Sequence, residues 1–211
     1  GDDHLLYAKV GTGYKAGGFV DAISAILTRT TDPNYDTENI FAVEIGHKSE
    51  FLDNRVRMNS SLYWYDYEDQ QIVVFFGGGN IVENANSKIS GFETEIQAVP
   101  TDNSLINISL AYNDSEFDDG TTLIDGTNRI MGTPQSVDVS GNRLPFAPEW
   151  SFNLGAQYTF EMGNGATLTP SVNLHWEDDT QLRTFNNNVD VQESWTETDF
   201  RLSYRPASDK W

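Results

Sequence analysis

The sequence predicts an all-β protein, an antiparallel, up-and-down transmembrane β-barrel segment of about eight strands. Three observations predict it. Apolar residues recur at every second position over several long segments, the links between those segments alternate between short and long, and Trp, Tyr and Phe collect at one end of the apolar phase.

The first strand lies around residues 6–14. In the second, Phe41, Val43 and Ile45 alternate with Ala42, Glu44 and Gly46, and in the third, Val56, Met58, Ser60, Leu62 and Trp64 alternate with Arg57, Asn59, Ser61 and Tyr63. A fourth covers residues 90–98, and a fifth sets Ile106, Ile108, Leu110 and Tyr112 against Asn107, Ser109, Ala111 and Asn113. The sixth is the most regular: Trp150, Phe152, Leu154, Ala156, Tyr158 and Phe160 are interleaved with small or polar residues. Leu168, Pro170, Val172, Leu174 and Trp176 mark the seventh, and residues 198–204 the eighth. Several of these approach the roughly 10 residues with which a tilted strand crosses a bilayer. No run of about 18 apolar residues offers a membrane-spanning helix, and the mean hydropathy of −0.48 is compatible with spanning strands, because half of each strand is polar.

Residues 52–55, 100–104, 163–165 and 206–209 are short links rich in turn formers. The long links span roughly 16–40, 70–87, 114–149 and 177–194, and they hold much of the acid. Several structureless links longer than about 15 residues are foreign to soluble domains, whereas short turns on one side and long loops on the other describe an outer-membrane barrel. Tyr14, Phe41, Trp64, Tyr112, Trp150 and Trp176 all fall at the long-link end of the apolar phase, where a lipid-facing aromatic girdle belongs, and Trp195 lies nearby but one position out of phase. Phe51, Phe160 and Tyr204 would form the opposite girdle. A β-sandwich with an aromatic core is the competing reading, and it predicts neither which strand ends hold Trp nor the alternation of link lengths. The other phase carries Lys15, Glu44, Lys48, Arg57, Glu93, Glu95, Gln97, Arg201 and Arg205, more ions than a dry core holds, so this face is expected to line the wet lumen of a wide barrel.

Composition narrows the function. In 211 residues there are 32 acidic and 13 basic side chains, a net charge of −19, and no basic cluster, which argues against nucleic-acid binding. Absence of Cys removes disulfides, thiol catalysis and thiolate metal sites, and His4, His47 and His175 are too scattered to suggest a metal centre. An aromatic content of 12 % argues against disorder. Nothing has the pattern of a nucleophile elbow, and Gly77-Gly78-Gly79 lacks the Lys of a phosphate loop and reads as flexible loop after Val73-Val74-Phe75-Phe76. No catalytic residue and no cofactor is expected.

An ordered set of fragments resembles the C-terminal part of the barrel of TonB-dependent outer-membrane receptors of the siderophore-receptor type. They are Gly13-Tyr14-Lys15-Ala16-Gly17-Gly18-Phe19, Glu44-Ile45-Gly46-His47-Lys48 before the turn at 52–55, and Leu62-Tyr63-Trp64-Tyr65-Asp66-Tyr67-Glu68-Asp69-Gln70. Asn84-Ala85-Asn86-Ser87-Lys88 then leads into Gly91-Phe92-Glu93-Thr94-Glu95, followed by residues 141–150 and Arg201-Leu202-Ser203-Tyr204-Arg205-Pro206. The resemblance implies that residues 1–211 are a partial barrel domain of about eight of about 22 strands, with the globular plug and the terminal strands absent from this chain. It implies import of a scarce nutrient, a ferric siderophore first and cobalamin, haem or an oligosaccharide otherwise, powered through TonB by way of the plug, in the outer membrane of a Gram-negative-type bacterium. Partners implied are the TonB complex, lipid and lipopolysaccharide, and a small-molecule or metal-chelate ligand. A non-transporting barrel or a β-sandwich serving binding or adhesion is the alternative.

Loop chemistry supplies ligand-contact candidates. Tyr35, Phe75, Phe76, Phe146 and Phe185 are rings able to stack on a ligand, and Arg129, Arg143 and Arg183 are able to pair with an anionic chelate. Acidic neighbours favour local ion pairs for the arginines instead. The carboxylates Asp114, Glu116, Asp118 and Asp119, and the pair Asp178-Asp179, lack the spacing of a calcium loop and are expected to be solvated or to meet lipopolysaccharide through divalent cations. Glu93 and Glu95 are expected to bond to the plug, with Lys48, Arg57 or Arg201 as counter-ions.

Overall fold

A computed structural model describes residues 4–28, 32–76, 79–130 and 133–207. Its elements are β1 (His4–Lys15), β2 (Gly18–Phe19), α1 (Ala22–Thr28), β3 (Asn34–Tyr35), β4 (Glu38–Phe51), β5 (Val56–Phe76), β6 (Gly79–Ala98) and β7 (Ser104–Phe117). Then come β8 (Thr122–Ile130), β9 (Thr133–Asp138), β10 (Trp150–Tyr158), β11 (Phe160–Glu161), β12 (Thr167–Glu177), β13 (Thr180–Gln181), β14 (Val191–Gln192) and β15 (Trp195–Arg205). Eight long strands, with the two-residue β11 beside β12, form one antiparallel sheet in the order β1-β4-β5-β6-β7-β10-β12-β15. Each long strand pairs with the next long strand in sequence, an up-and-down meander whose edges are β1 and β15.

Register decides which side chains share a face, because side chains alternate along a strand with period two. One row across the sheet runs Ile45, Leu62, Phe92, Tyr112 and Trp150; beyond the row of Ser60, Thr94, Leu110, Phe152 and Trp176, two more run Met58, Ile96, Ile108, Leu154 and Leu174, then Val56, Ala98, Ile106, Ala156, Val172 and Phe200. Between them lie polar rows: Lys48, Asn59, Glu95, Ser109, Asn153, His175 and Glu197, and beside it Arg57, Gln97, Asn107, Gly155, Asn173 and Asp199. The apolar phases of the separate strands thus converge on one side of a single sheet. That side lies open, with Leu6 76 % and Phe200 82 % exposed. Ser60 and Thr94, polar intruders on it, bond to each other at 2.7 Å.

The turn after β4 is built on three consecutive residues at positive φ, Leu52, Asp53 and Asn54, closed by the Arg55 N–H donating to Leu52 O at 3.1 Å. Asp and Asn tolerate that conformation because their short side chains bond locally.

The long-link end departs from the sequence expectation. Residues 70–76 and 79–87 are strand and not loop: β5 and β6 stay paired from Gln70 to Phe76 after a bulge between Tyr67 and Gln70, where Asp69 sits at φ 55°. Val73-Val74-Phe75-Phe76 is therefore strand, Gly79 opens β6, and Gly77 and Gly78 lie outside the described residues. Packing keeps this extension paired, for Val74 and Ile81 are buried with Val20 against Ala25 of α1. Residues 114–149 likewise contain the end of β7 and the hairpin β8–β9. A second core forms there from Ala85, Phe117, Leu123, Val139 and Leu144, with Ile72, Ile89, Ala147 and Phe185 packed on it. The link 16–40 folds into β2–β3 and the seven-residue α1, which begins where Asp21 accepts from the Ile23 and Ser24 N–H groups, both at 2.9 Å. The Ser24 hydroxyl, with the Ser24 and Ile23 N–H groups after it, holds the Asp21 carboxyl below its usual range. Gly79 admits the helix, since a Cβ there would stand 3.0 Å from the Ser24 Cα.

On β6 the buried Ile81 and Ala85 have the parity of Glu93, not of Phe92. Helix α1 and hairpin β8–β9 therefore cover the polar-face side of the β5–β6 extension and form a cap over that end of the sheet.

Candidate functional site

Two surfaces carry chemistry: the polar face of the sheet and the cap above it. On the polar face, Lys15 stands opposite Glu38, Glu44 opposite Lys9 and Tyr63, Lys48 opposite Leu5 and Asn59, Arg57 opposite Glu50 and Gln97, and Arg201 opposite Ser171. Glu93 and Glu95 share the same side. Arg57 pairs with Glu50 at 2.7 Å, and the Tyr7 hydroxyl donates to Glu44 at 2.6 Å while Lys48 Nζ lies 6.0 Å from the centre of the Tyr7 ring. Two tyrosines lie flat against the sheet because glycine faces them. A Cβ at Gly46 would collide with the Tyr7 ring, and one at Gly91 would stand 2.5 Å from the Tyr63 hydroxyl oxygen. Tyr63 and Tyr65 also stack with centroids 5.2 Å apart. The signal for this aromatic strip was present in the sequence as Tyr63, Tyr65 and Tyr67 at period two, in phase with the charges rather than with the apolar residues.

On the opposite face Tyr14, Phe41, Trp64, Tyr112, Trp150 and Trp176 all lie on the apolar side of the sheet. Their rings touch: Phe41 meets Trp64 edge-on at 6.2 Å, and Tyr112 lies 4.8 Å from Trp150. Trp195 belongs to the polar side, opposite Glu177, and its indole N–H donates to that carboxylate at 3.1 Å.

In the cap the ligand-contact candidates separate. Arg143, Phe146, Arg183 and Phe185 come together where the link 139–149 meets the link 178–194. Arg143 pairs with Asp179 and lies 3.9 Å from Glu149; Arg183 pairs with Asp125 at 3.2 Å and Asp190 at 3.4 Å. The two links are also stitched by the Phe146 N–H to Gln181 O at 2.8 Å and the Asn142 amide to Thr184 O at 2.9 Å. Phe185 packs on the second core with the Arg183 guanidinium 5.2 Å from its ring centre. Both arginines are thus neutralised locally, and Phe185 serves packing. Tyr35 lies apart in β3, its hydroxyl 2.6 Å from where a Gly18 Cβ would be. Phe75, opposite Asn80, has the parity opposite to that of the buried Val74 and Ile81, so it points away from the cap's two cores and is 74 % exposed. The side chains of Phe76 and Arg129 lie outside the described residues.

The acidic run does not act as one unit. Asp118 pairs with Lys88 at 2.9 Å, and Glu116 stands opposite that lysine in the register. Asp114 faces Ser90. Among the described residues no group of three or more His, Asp or Glu side chains could hold a metal ion. Burial pushes the Glu83 pKa up, against the opposing effect of the Ile124 N–H, which donates to it at 2.6 Å. Asp138 is held below its usual range by the Ser140 hydroxyl and N–H.

An antiparallel meander of long strands, apolar on one side and ionic on the other, with an aromatic girdle and its packed cores confined to one end, is a segment of a wide membrane β-barrel. The chain belongs to the TonB dependent receptor-like β-barrel family, whose model matches residues 1–211. It is 27 % identical over 173 residues to a protein of Acinetobacter baumannii described as a probable TonB-dependent siderophore receptor, PiuA, an alignment covering 74 % of this chain and 22 % of that protein. Among solved structures, the ferric yersiniabactin uptake receptor FyuA from Yersinia pestis superposes with a TM-score of 0.72 at 19 % identity, over 96 % of this chain and 27 % of that one. The siderophore receptor PiuA from Acinetobacter baumannii gives 0.68 at 20 % identity, over 95 % and 27 %. The chain spans about a quarter of the length of these relatives, each of which is described as a receptor.

Proposed function

We propose that this chain forms barrel wall and outer mouth of a TonB-dependent outer-membrane importer of a metal chelate, with a ferric siderophore as its cargo. The observation that carries the reading is the two-sidedness of the sheet: a predominantly apolar face for lipid, backed by a charged face for a wet lumen. Family membership and the names of the relatives support the cargo class. In this reading Tyr14, Phe41, Trp64, Tyr112, Trp150 and Trp176 sit at the outer lipid headgroups, and Lys15, Glu44, Lys48, Arg57, Glu93, Glu95 and Arg201 line the lumen around a plug. The cap lies over the mouth on the lumen side, and energy enters from TonB through the plug. The whole receptor containing this sequence is expected to fractionate with outer membranes, to change gel mobility on boiling as closed barrels do, and to support uptake of radiolabelled ferric chelate only when TonB is present. Unimpaired uptake without TonB would refute energised import, and a parent protein soluble without detergent would refute the barrel.

A further inference from the structure

Register puts two histidines on the apolar side of the sheet. His47 has the parity of Val43 and Ile45 on β4, and His4 that of Leu6 and Val10 on β1. Their rings stack, with centroids 5.8 Å apart and planes inclined by 10°. His47 stands midway along the apolar band: Val43, opposite Trp64, lies four positions towards the outer girdle, and Phe51 lies four positions the other way. At about 3.3 Å per residue that leaves about 13 Å of strand on either side. β4 has both of its neighbours in place, β1 and β5, so this ring does not stand at an open edge of the sheet. Around the pair on the same side are Leu6 from β1, Ile45 and Ser49 from β4, Met58 and Ser60 from β5, and Thr94 from β6, and none of them is charged. Lys9, Glu44, Lys48, Glu50 and Arg57 belong to the opposite side. Ser60 and Thr94 satisfy each other, and the Ser49 hydroxyl, on a residue only 2 % exposed, has no partner.

We propose that His4 and His47 make the seam between β1 and β4 acid-sensitive. The proposal rests on the reading of the chain as barrel wall. Imidazole is the side chain that gains charge in mildly acid solution. Neutral, the stacked rings are small amphipathic groups on an apolar band. One proton puts a cation on the lipid side of the wall, with no carboxylate on that side of the pair to compensate it, and a second proton is opposed by the first at close range. Acid therefore disfavours the folded wall where the two rings lie, at the pairing of β1 with β4.

The test uses the full-length receptor folded into uncharged vesicles, with its folding equilibrium measured in urea at mildly alkaline and at mildly acid pH. On acidification the folding constant of the wild type is expected to fall at least about tenfold further than that of the double variant His4→Leu/His47→Leu, the scale of a cation inside the apolar band. Contributions of the carboxylates and of His175 are common to both proteins and cancel in the comparison. At alkaline pH the double variant should fold at least as well as wild type, since it replaces two polar rings in hydrocarbon by apolar side chains. Hydrogen exchange, corrected for its intrinsic pH dependence, should accelerate on acidification over β1 and β4 of the wild type and not of the variant. An equal pH dependence in wild type and double variant would overturn the inference and leave the barrel standing. So would a double variant weaker than wild type at alkaline pH, because the rings would then be bonded into the receptor and not facing lipid. A wild type that enters vesicles at neither pH would overturn the barrel reading and this inference with it.

Discussion

Leu6 and Phe200 in the sheet are more than three-quarters exposed, yet Phe117 and Leu123 in the cap are enclosed to 1 % and 0 %. Both regions contain antiparallel strands that carry apolar side chains. They differ in what covers those side chains. The wall leaves its apolar face for a solvent of hydrocarbon, where backbone groups must pair internally and a continuous sheet satisfies them. The cap stands in water, so it has to bury its apolar residues against its own chain, and it does so with a helix, a hairpin and interlinked ion pairs. The same strands, β5 and β6, pass from one regime to the other at the bulge beside Asp69.

Substitutions in the full-length receptor are expected to separate the two regions. Phe117→Ala empties the centre of the cap core, with an expected loss of about 3–5 kcal/mol confined to the cap. Hydrogen exchange should accelerate over 117–147 while the unboiled gel band persists; loss of that band would mean that wall and cap are one cooperative unit. Leu154→Arg, between Ile108 and Leu174 on the apolar face, should impair folding into vesicles by about 2–4 kcal/mol, the cost of a cation at the bilayer midplane, and leave cap exchange unchanged. Normal assembly of Leu154→Arg would reverse the face assignment. Gly46→Ala drives the Tyr7 ring off the polar face and should cost about 1–3 kcal/mol in urea-dependent folding, as overpacking does. Arg183→Ala leaves Asp125 without that cation and should loosen the link 178–194 by about 1–3 kcal/mol, read by exchange at residues 180–192.

The smallest effect is a pH dependence. Because burial raises the Glu83 pKa, its ionisation opposes cap packing. Cap stability is therefore greatest below the ordinary carboxylate pKa and declines as pH rises through the folded value. Exchange corrected for its intrinsic pH dependence should reveal a shift below about 1 kcal/mol at this partly accessible site, and Glu83→Gln, which keeps an acceptor for the Ile124 N–H, should abolish it. An unchanged pH profile in Glu83→Gln would assign the dependence to another group.

Sequence periodicity sufficed for the wall because each strand there obeys one rule. Trp150 to Tyr158 alternates strictly, and pairing with β7 and β12 preserves the alternation side for side. The cap was illegible by the same rule. Val73-Val74-Phe75-Phe76 reads as an apolar run before a triple glycine, and only the contact of Val74 and Ile81 with α1 makes it a paired extension. The candidate site divided likewise: Arg143 and Arg183 had acidic neighbours in sequence, but Asp125, the partner of Arg183, is 58 residues away.

By itself, the sequence determined the antiparallel class, the two faces of the sheet, the shared side of the six aromatic rings and the turns at 52–55, 100–104 and 163–165, since alternation, local turn chemistry and ring placement act over a few residues at a time. Tertiary structure alone decided that the long links fold into a cap, that Phe75 and Val74 look in opposite directions, that Phe185 packs inward, and that Phe146 is held at positive φ. Each of these depends on contacts between segments far apart in the chain, whose energy is unavailable until the strands between them have paired.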